Sequence, residues 1–164
     1  MADWSVQNVR DGEWWVNEKF GNRTMLVPDA SQVGVRVHVH EPGKPSTLYH
    51  RESEQEGFLV IEGECLLIVE GEEVMLRAWD YFHCPPGTTH SFVGAGDGPC
   101  VVVTLGGRSE DGTILYARDE LALGHGAGVE QETDTPSEAY APFPKWEEGR
   151  PTDWDDLPWV TRER

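Results

Sequence analysis

Apolar and polar residues alternate along the middle of this chain, and that alternation predicts β-strands. From Val33 to His40, valines at the odd positions alternate with Gly, Arg and His at the even positions, and Pro42 follows. A period of two predicts a strand with one buried face and one polar face. His38 and His40 form a His-x-His pair, which this interpretation places on the polar face opposite the valines.

Three further apolar runs follow, and short spacers that each contain a glycine separate them. The runs cover residues 58–61, 65–69 and 74–76, with Gly63 and Gly71 in the spacers. Because glycine readily adopts positive φ in tight turns, this pattern predicts an antiparallel meander. Four more short strands are expected at residues 81–84, 90–93, 100–105 and 113–117. Short strands with regular turns predict an all-β sandwich or barrel.

Two short helices and an extended tail are expected after the strands. Asp119 begins an acidic segment that Gly124 ends, and Thr135 to Glu138 has the form of a capping box with proline at the first helical position. Beyond Pro142 the chain is rich in proline, tryptophan and acidic residues, among them Pro144, Trp146, Pro151, Trp154, Pro158 and Trp159. Disordered tails rarely carry so much tryptophan, so we expect this tail to lie on the barrel or on a partner subunit, with disorder as the alternative.

The expected organisation is therefore a single domain with appendages. Residues 1–32 supply N-terminal strands that pack on the barrel, residues 33–118 form the barrel, and residues 119–164 form a helical segment and an extended acidic tail. A length of 164 residues fits one hydrophobic core rather than two.

Charge and cysteine content narrow the possible partners and the compartment. The net charge of −17 argues against nucleic acid and against anionic membranes, because both select basic surfaces. The three cysteines have no CxxC spacing and lie beside apolar residues, which predicts buried, reduced thiols: Cys65, Cys84 and Cys100. The longest apolar run is too short to span a bilayer, and the N-terminus has no signal-peptide pattern. We expect a cytoplasmic protein.

Imidazoles and carboxylates at two separated positions predict a metal site. His50, Glu52 and Glu56 share strand parity, so an extended backbone points all three side chains the same way, and His90 follows a Pro-Pro-Gly turn later in the chain. Neutral imidazole and ionised carboxylate suit a divalent transition metal: Fe, Mn, Ni or Zn. Four such ligands leave coordination positions open, which is typical of catalytic rather than structural sites.

These residues resemble the two motifs of the cupin superfamily. In the first motif, six residues separate Gly43 from His50, Glu52 stands where a second His is usual, and Glu56 and Gly63 follow at the family's spacing. In the second, Pro85-Pro86-Gly87 and His90 fit, whereas Trp79 replaces a Gly and Gly94 replaces an Asn. The tail resembles that of actinobacterial cupin-domain proteins of unassigned activity. The resemblance implies a jelly-roll β-barrel with a metal at its mouth, held by His50, Glu52, Glu56 and His90.

Several residues keep alternative interpretations. Glu54 has the parity of Glu52 and could complete the metal site in its place, and a solvent-exposed carboxylate is the alternative for Glu52 itself. His83 lies in an apolar strand, which favours a hydrogen-bonded core histidine. The His38/His40 pair lacks the following Glu and Gly at the motif spacing, so it is not expected to bind the metal.

Two functions fit this sequence. The first is a metal-dependent enzyme acting on a small oxygen-rich molecule, of dioxygenase, isomerase or decarboxylase type, in which Glu52 is a general base if it is not a ligand. The second is a non-catalytic cupin that binds a metal or metabolite. A cationic residue in the lumen would favour the enzyme, but Arg51 has the wrong parity and the sequence does not place Arg36 or Arg77. A homodimer is expected, because short cupins pair through an edge strand.

Overall fold

A computed structural model of the protein describes residues 4–27, 31–152 and 154–158. Within these ranges the chain forms twelve strands, two short α-helices and two 3₁₀ helices. The strands are β1 (Trp14–Asn17), β2 (Gly21–Met25), β3 (Val33–His40), β4 (His50–Glu52), β5 (Glu56–Glu62), β6 (Glu64–Val69), β7 (Glu72–Arg77), β8 (Tyr81–Cys84), β9 (His90–Ala95), β10 (Cys100–Gly107), β11 (Ile114–Tyr116) and β12 (Glu147–Glu148). The α-helices are α1 (Glu120–Gly124) and α2 (Pro136–Ala139).

The strands form two antiparallel sheets that face each other. In the described part of the chain, one sheet has the order β12-β1-β2-β3-β10-β5-β8 and the other β11-β4-β9-β6-β7. Neighbours in both sheets are often distant in sequence, as in the pairing of β3 with β10. The all-β jelly roll expected from the sequence is confirmed.

Apolar side chains from both sheets fill one end of the space between them. Burying side chains of this size contributes about 1.5–3 kcal/mol each. The buried cluster consists of Phe58, Val60, Cys65, Leu67, Leu76, Cys84, Phe92, Cys100 and Val102. The three cysteines are free and buried, as the sequence predicts. The other end of the space is lined by polar side chains and holds the candidate site.

The alternation in β3 predicts one buried face and one polar face, and the second prediction is wrong because both faces of this strand are buried. Val37 and Val39 lie on the outer face of the sheet, where Trp14, Trp154 and Leu157 cover them. His38 and His40 lie on the inner face and are 4% and 1% exposed. The covering residues come from the ends of the chain, so the alternation within the strand alone could not show their effect.

The predicted meander is also only partly correct. β6 and β7 do form a hairpin, closed by a two-residue turn with positive φ at Glu70 and Gly71. β5, however, pairs with β8 and β10 in the opposite sheet. The spacer at Gly63, where φ is +74°, therefore carries the chain from one sheet to the other.

The two helices begin and end close to their predicted positions, but they are capped differently. The Asp119 carboxylate accepts a hydrogen bond from the Ala122 amide (2.9 Å) and caps α1. The expected capping box on α2 does not form. The Thr135 side chain makes no capping bond, because its hydroxyl donates to Asp134, and the Glu138 carboxylate accepts from the Thr133 hydroxyl.

The tail lies on the barrel, which confirms one of the two predicted placements. Phe143 packs edge-on against Phe20, with ring centroids 5.2 Å apart, and Trp154 packs edge-on against Trp14 at 5.6 Å. Trp159 lies outside the described residues. None of the helices in the described ranges has the length and apolar character needed to cross a bilayer. The homodimer stays a prediction.

Trp79 carries a left-handed backbone, with φ at +75° and a side chain that is 76% exposed. A left-handed backbone costs a residue with a Cβ about 1–2 kcal/mol, whereas glycine adopts it freely. We therefore expect Trp79→Gly to be more stable than Trp79→Ala by about 1 kcal/mol, measured by urea denaturation.

The matched control is Val74, an exposed position within β7. There the order should be reversed, with the alanine variant more stable than the glycine variant by about 0.5–1 kcal/mol. Equal stability of the two Trp79 variants would show that the left-handed backbone carries no strain.

Candidate metal centre and its cavity

Strand pairing brings two of the predicted ligands together. β4 pairs with β9 so that His50 lies directly opposite His90. Glu56, at the start of β5, reaches them from the opposite sheet. The ligand atoms of His50, Glu56 and His90 all lie within 4.8 Å of one another, both histidines are buried and Glu56 is half-buried.

Backbone carbonyls orient both imidazoles in the same manner. Nδ1 of His50 lies 2.6 Å from the carbonyl oxygen of Leu48, and Nδ1 of His90 lies 3.1 Å from that of Thr88. A carbonyl oxygen only accepts, so Nδ1 carries the proton in each ring and Nε2 presents its lone pair. Fixing the tautomer through the distal nitrogen is how proteins prepare histidine as a metal ligand.

The distances and the donor set fit a divalent transition metal. Two ligands at right angles on a metal, with bonds of about 2.1 Å, lie about 3 Å apart. His90 Nε2 and Glu56 Oε2 are 3.4 Å apart, so a small inward movement would bring both to bonding distance. Two imidazoles and one carboxylate leave several coordination positions open, and iron, manganese, nickel and zinc all accept such a set.

Of the other two candidate carboxylates, Glu52 lies beside the cluster and Glu54 does not. Glu52 Oε1 lies 3.6 Å from His50 Nε2, but Glu52 is outside the group of three whose ligand atoms lie within 4.8 Å. Its role as a fourth ligand stays a prediction. Glu54 is exposed and accepts hydrogen bonds from the hydroxyls of Ser53 and Ser109, so it lies away from the cluster.

Burial and mutual repulsion set the protonation of these groups. Burial, together with the charge of Glu52, raises the pKa of Glu56 to about 7. Burial, together with the neighbouring His50, lowers the pKa of His90 to about 4. The adjacent His50 imidazole lowers the pKa of Glu52. Burial opposes protonation of His50, but the neighbouring Glu52 carboxylate and the Leu48 carbonyl outweigh it and raise its pKa. A bound dication would stabilise the ionised form of Glu56 and the neutral imidazoles.

The cluster opens into a cavity of about 620 Å³ between the two sheets. α2 and the tail close one side through Tyr140, Phe143 and Trp146. Phe58 and Phe92 line the cavity. Trp79 is exposed, and Tyr49 is buried elsewhere, with its hydroxyl accepting from the Gly71 amide.

The sequence did not place several residues that line this cavity: Arg23, Arg36, His38, His40, Tyr116 and Tyr140. One signal pointed to three of them, since residues 36, 38 and 40 share the parity that faces inward in β3. Arg51 and Arg77 are exposed, and Arg77 pairs with Glu64. His83 is exposed rather than buried in the core, because β8 lies at the edge of its sheet.

The fold and the central part of the sequence match known proteins. The family model for the cupin domain matches residues 36–106, a range that contains both motifs and all the candidate ligands. Residues 36–106 are a cupin domain. No curated protein matches the sequence significantly.

Solved structures share this fold. A cupin-superfamily sugar phosphate isomerase from Silicibacter pomeroyi is 26% identical, with a TM-score of 0.60 over 71% of this chain and 83% of that one. An RmlC-like cupin from Shewanella frigidimarina is 19% identical (TM-score 0.56, 66% and 95% covered). A polyketide cyclase from Streptomyces resistomycificus is 16% identical (TM-score 0.56, 66% and 89% covered). The last two are similar in fold alone.

Removing one ligand should remove the metal without unfolding the barrel. We expect His90→Ala and Glu56→Ala each to lose most bound metal, measured by plasma mass spectrometry on protein purified without tag or chelator, with an unchanged β-sheet spectrum by circular dichroism. Arg51→Ala and His38→Ala are the controls and should retain it. Loss of metal in His38→Ala, with retention in His90→Ala, would move the site to the other His-x-His pair.

His40 should make the stability of the fold depend on pH. Burial lowers its pKa from 6.5 to about 4, so below pH 6.5 the unfolded chain binds a proton that the folded chain does not. Between pH 6.5 and 4 the free energy of unfolding should fall by at most about 1.4 kcal/mol per pH unit from this group. Urea denaturation across that range should give a shallower slope for His40→Gln.

The exposed His83 provides the matched control, because His83→Gln also removes one imidazole. Wild type and His83→Gln should share one slope. A His40→Gln slope identical to theirs would show that His40 is protonated in the folded state.

Proposed function

We propose that this protein is a metal-dependent cupin enzyme that acts on a small oxygen-rich molecule, and that isomerisation is its reaction. The observation that carries the proposal is the pair of imidazoles with preset tautomers facing Glu56 at the wall of a cavity. The size of the cavity, about 620 Å³, is typical of small-molecule sites. Arg23 and Arg36 in its wall meet the criterion of a cationic lumen, which favours an enzyme.

Isomerisation has more support than oxidation or decarboxylation. The sugar phosphate isomerase from Silicibacter pomeroyi is 26% identical in sequence to this chain, and the structural match covers 83% of that protein. Interconverting an aldehyde and a ketone requires a base that takes a proton from the carbon next to a carbonyl, and a group that stabilises the enediolate. A bound dication supplies the second requirement as a Lewis acid.

Glu52 is the residue proposed for the first requirement. The adjacent His50 imidazole lowers the pKa of Glu52, which favours the ionised carboxylate. It is half-buried, lines the cavity and lies beside the cluster without belonging to the group of three. Glu52 Oε1 lies 3.6 Å from His50 Nε2, the atom that faces the cluster, so the proposed base lies next to the proposed metal site.

The test is proton exchange at the carbon next to the carbonyl. Protein loaded with Mn²⁺ or Zn²⁺ should exchange that hydrogen of an aldose or ketose phosphate with deuterium from D₂O, followed by proton NMR. Glu52→Gln should lower the exchange rate by about 10²–10⁴-fold and keep its metal.

Glu54→Gln is the matched control, since Glu54 is exposed and bonded to serines, and it should keep the wild-type rate. Loss of metal in Glu52→Gln would make Glu52 a ligand instead of the base. Metal-loaded protein that binds ligands but exchanges no proton and consumes no oxygen would leave the non-catalytic cupin as the function.

A further inference from the structure

Two arginines lie side by side in the wall of the cavity. Arg23 is on β2 and Arg36 is on the neighbouring β3, and register places Arg23 opposite His38. Both side chains are half-buried, and both line the same cavity as the metal cluster. Burial, and then the charge of Arg36, lowers the pKa of Arg23.

Neither arginine forms an ion pair with a carboxylate among the described residues. Other cations of the chain do so, for example Lys44 with Glu41 and Arg118 with Glu120. Carboxylates are abundant, since the chain has 30 acidic residues against 13 basic ones. Two adjacent, partly desolvated cations are costly unless an anion accompanies them, so the lack of an ion pair on either arginine among the described residues indicates a site for an anion from solution.

The surroundings hold at least one guanidinium in place. The Arg23 guanidinium lies 4.0 Å from the centre of the Trp146 ring, which fixes the plane of the donor fork by stacking. The same arginines make a second metal site at His38 and His40 unfavourable, because a cation there would face Arg23 directly across the strand pair.

The distance between the arginines and the metal cluster sets the length of a ligand that could reach both. On the inner face of the larger sheet, β10 separates β3 from β5, which carries Glu56. Two strand spacings correspond to about 10 Å. Val102 and Thr104 of β10 line the cavity between the two ends. A molecule that reaches both ends is therefore several atoms long and carries a negative group at the arginine end.

We propose that Arg23 and Arg36 bind the phosphate group of a small phosphorylated substrate whose other end reaches His50, Glu56 and His90. Two guanidinium groups balance the charge of a phosphate dianion, and each can donate two parallel hydrogen bonds to its oxygens. This assignment rests on the proposed function, because it takes the cavity to be the substrate site.

The experiment is isothermal titration of metal-free protein with inorganic phosphate at pH 7.5. Wild type should bind phosphate saturably and more tightly than acetate, and Arg23→Gln and Arg36→Gln should each bind it at least tenfold more weakly. Arg77→Gln, an exposed arginine far from the cavity wall, is the control and should match wild type. Arg23→Lys keeps the charge but not the fork, so it should bind with intermediate affinity, and thermal melts check that every variant folds.

The titration requires neither bound metal nor turnover. His90→Ala should keep its phosphate affinity, so the anion subsite can be confirmed even where the metal site or the isomerase reaction fails. No saturable phosphate binding by wild type, tighter binding of acetate than of phosphate, or unchanged affinity in both glutamine variants would overturn the assignment.

Discussion

The pairing of β4 with β9 is the contact on which the candidate site depends. One residue pair, His50 with His90, places two imidazoles side by side, and the carbonyls two residues before each ring fix both tautomers. A shift of one residue in either strand would turn a ring to the opposite face of the sheet. The geometry of the site therefore follows from backbone register, and the side chains add only their chemistry.

The second constraint is that the jelly roll is packed tightly at one end and open at the other. Phe58 and Phe92 belong both to the buried core and to the cavity wall, so they mark the boundary between the two regions. The tail encloses the open end, with Phe143 and Trp146 against the barrel. Because these aromatic residues are in the tail, the tail closes this side of the cavity and no strand has to be longer to do so.

Local alternation predicted most strands, because it depends on residues close together in the chain, whereas the cluster was indicated by the resemblance to two separated family motifs. The strand Tyr81–Cys84 has its predicted bounds, and His50, Glu56 and His90 come together as their spacing indicated. The errors arose where distant segments meet. The burial of His38 depends on strands that face it across the barrel, and alternation within one strand carries no information about them.

Departures from the family motif have local physical reasons that the sequence alone did not show. At Gly94 an added Cβ would collide with the backbone carbonyl of Glu41, so the asparagine usual in the motif would not fit here without movement of the backbone. At Trp79, where the motif has a glycine, the backbone is left-handed, a conformation that glycine adopts more readily. The first departure avoids a clash, and the second places a residue with a Cβ in a strained conformation.

The electrostatic field links the two ends of the cavity. Arg36 is near enough to lower the pKa of both Glu52 and Glu56, although burial outweighs it at Glu56. The same field opposes a dication at the cluster. An anion bound at Arg23 and Arg36 would neutralise that field and so strengthen metal binding, and by reciprocity the metal would strengthen anion binding by the same factor. Each charged partner thus favours the other, so the metal adds to an anion affinity that the two arginines already provide.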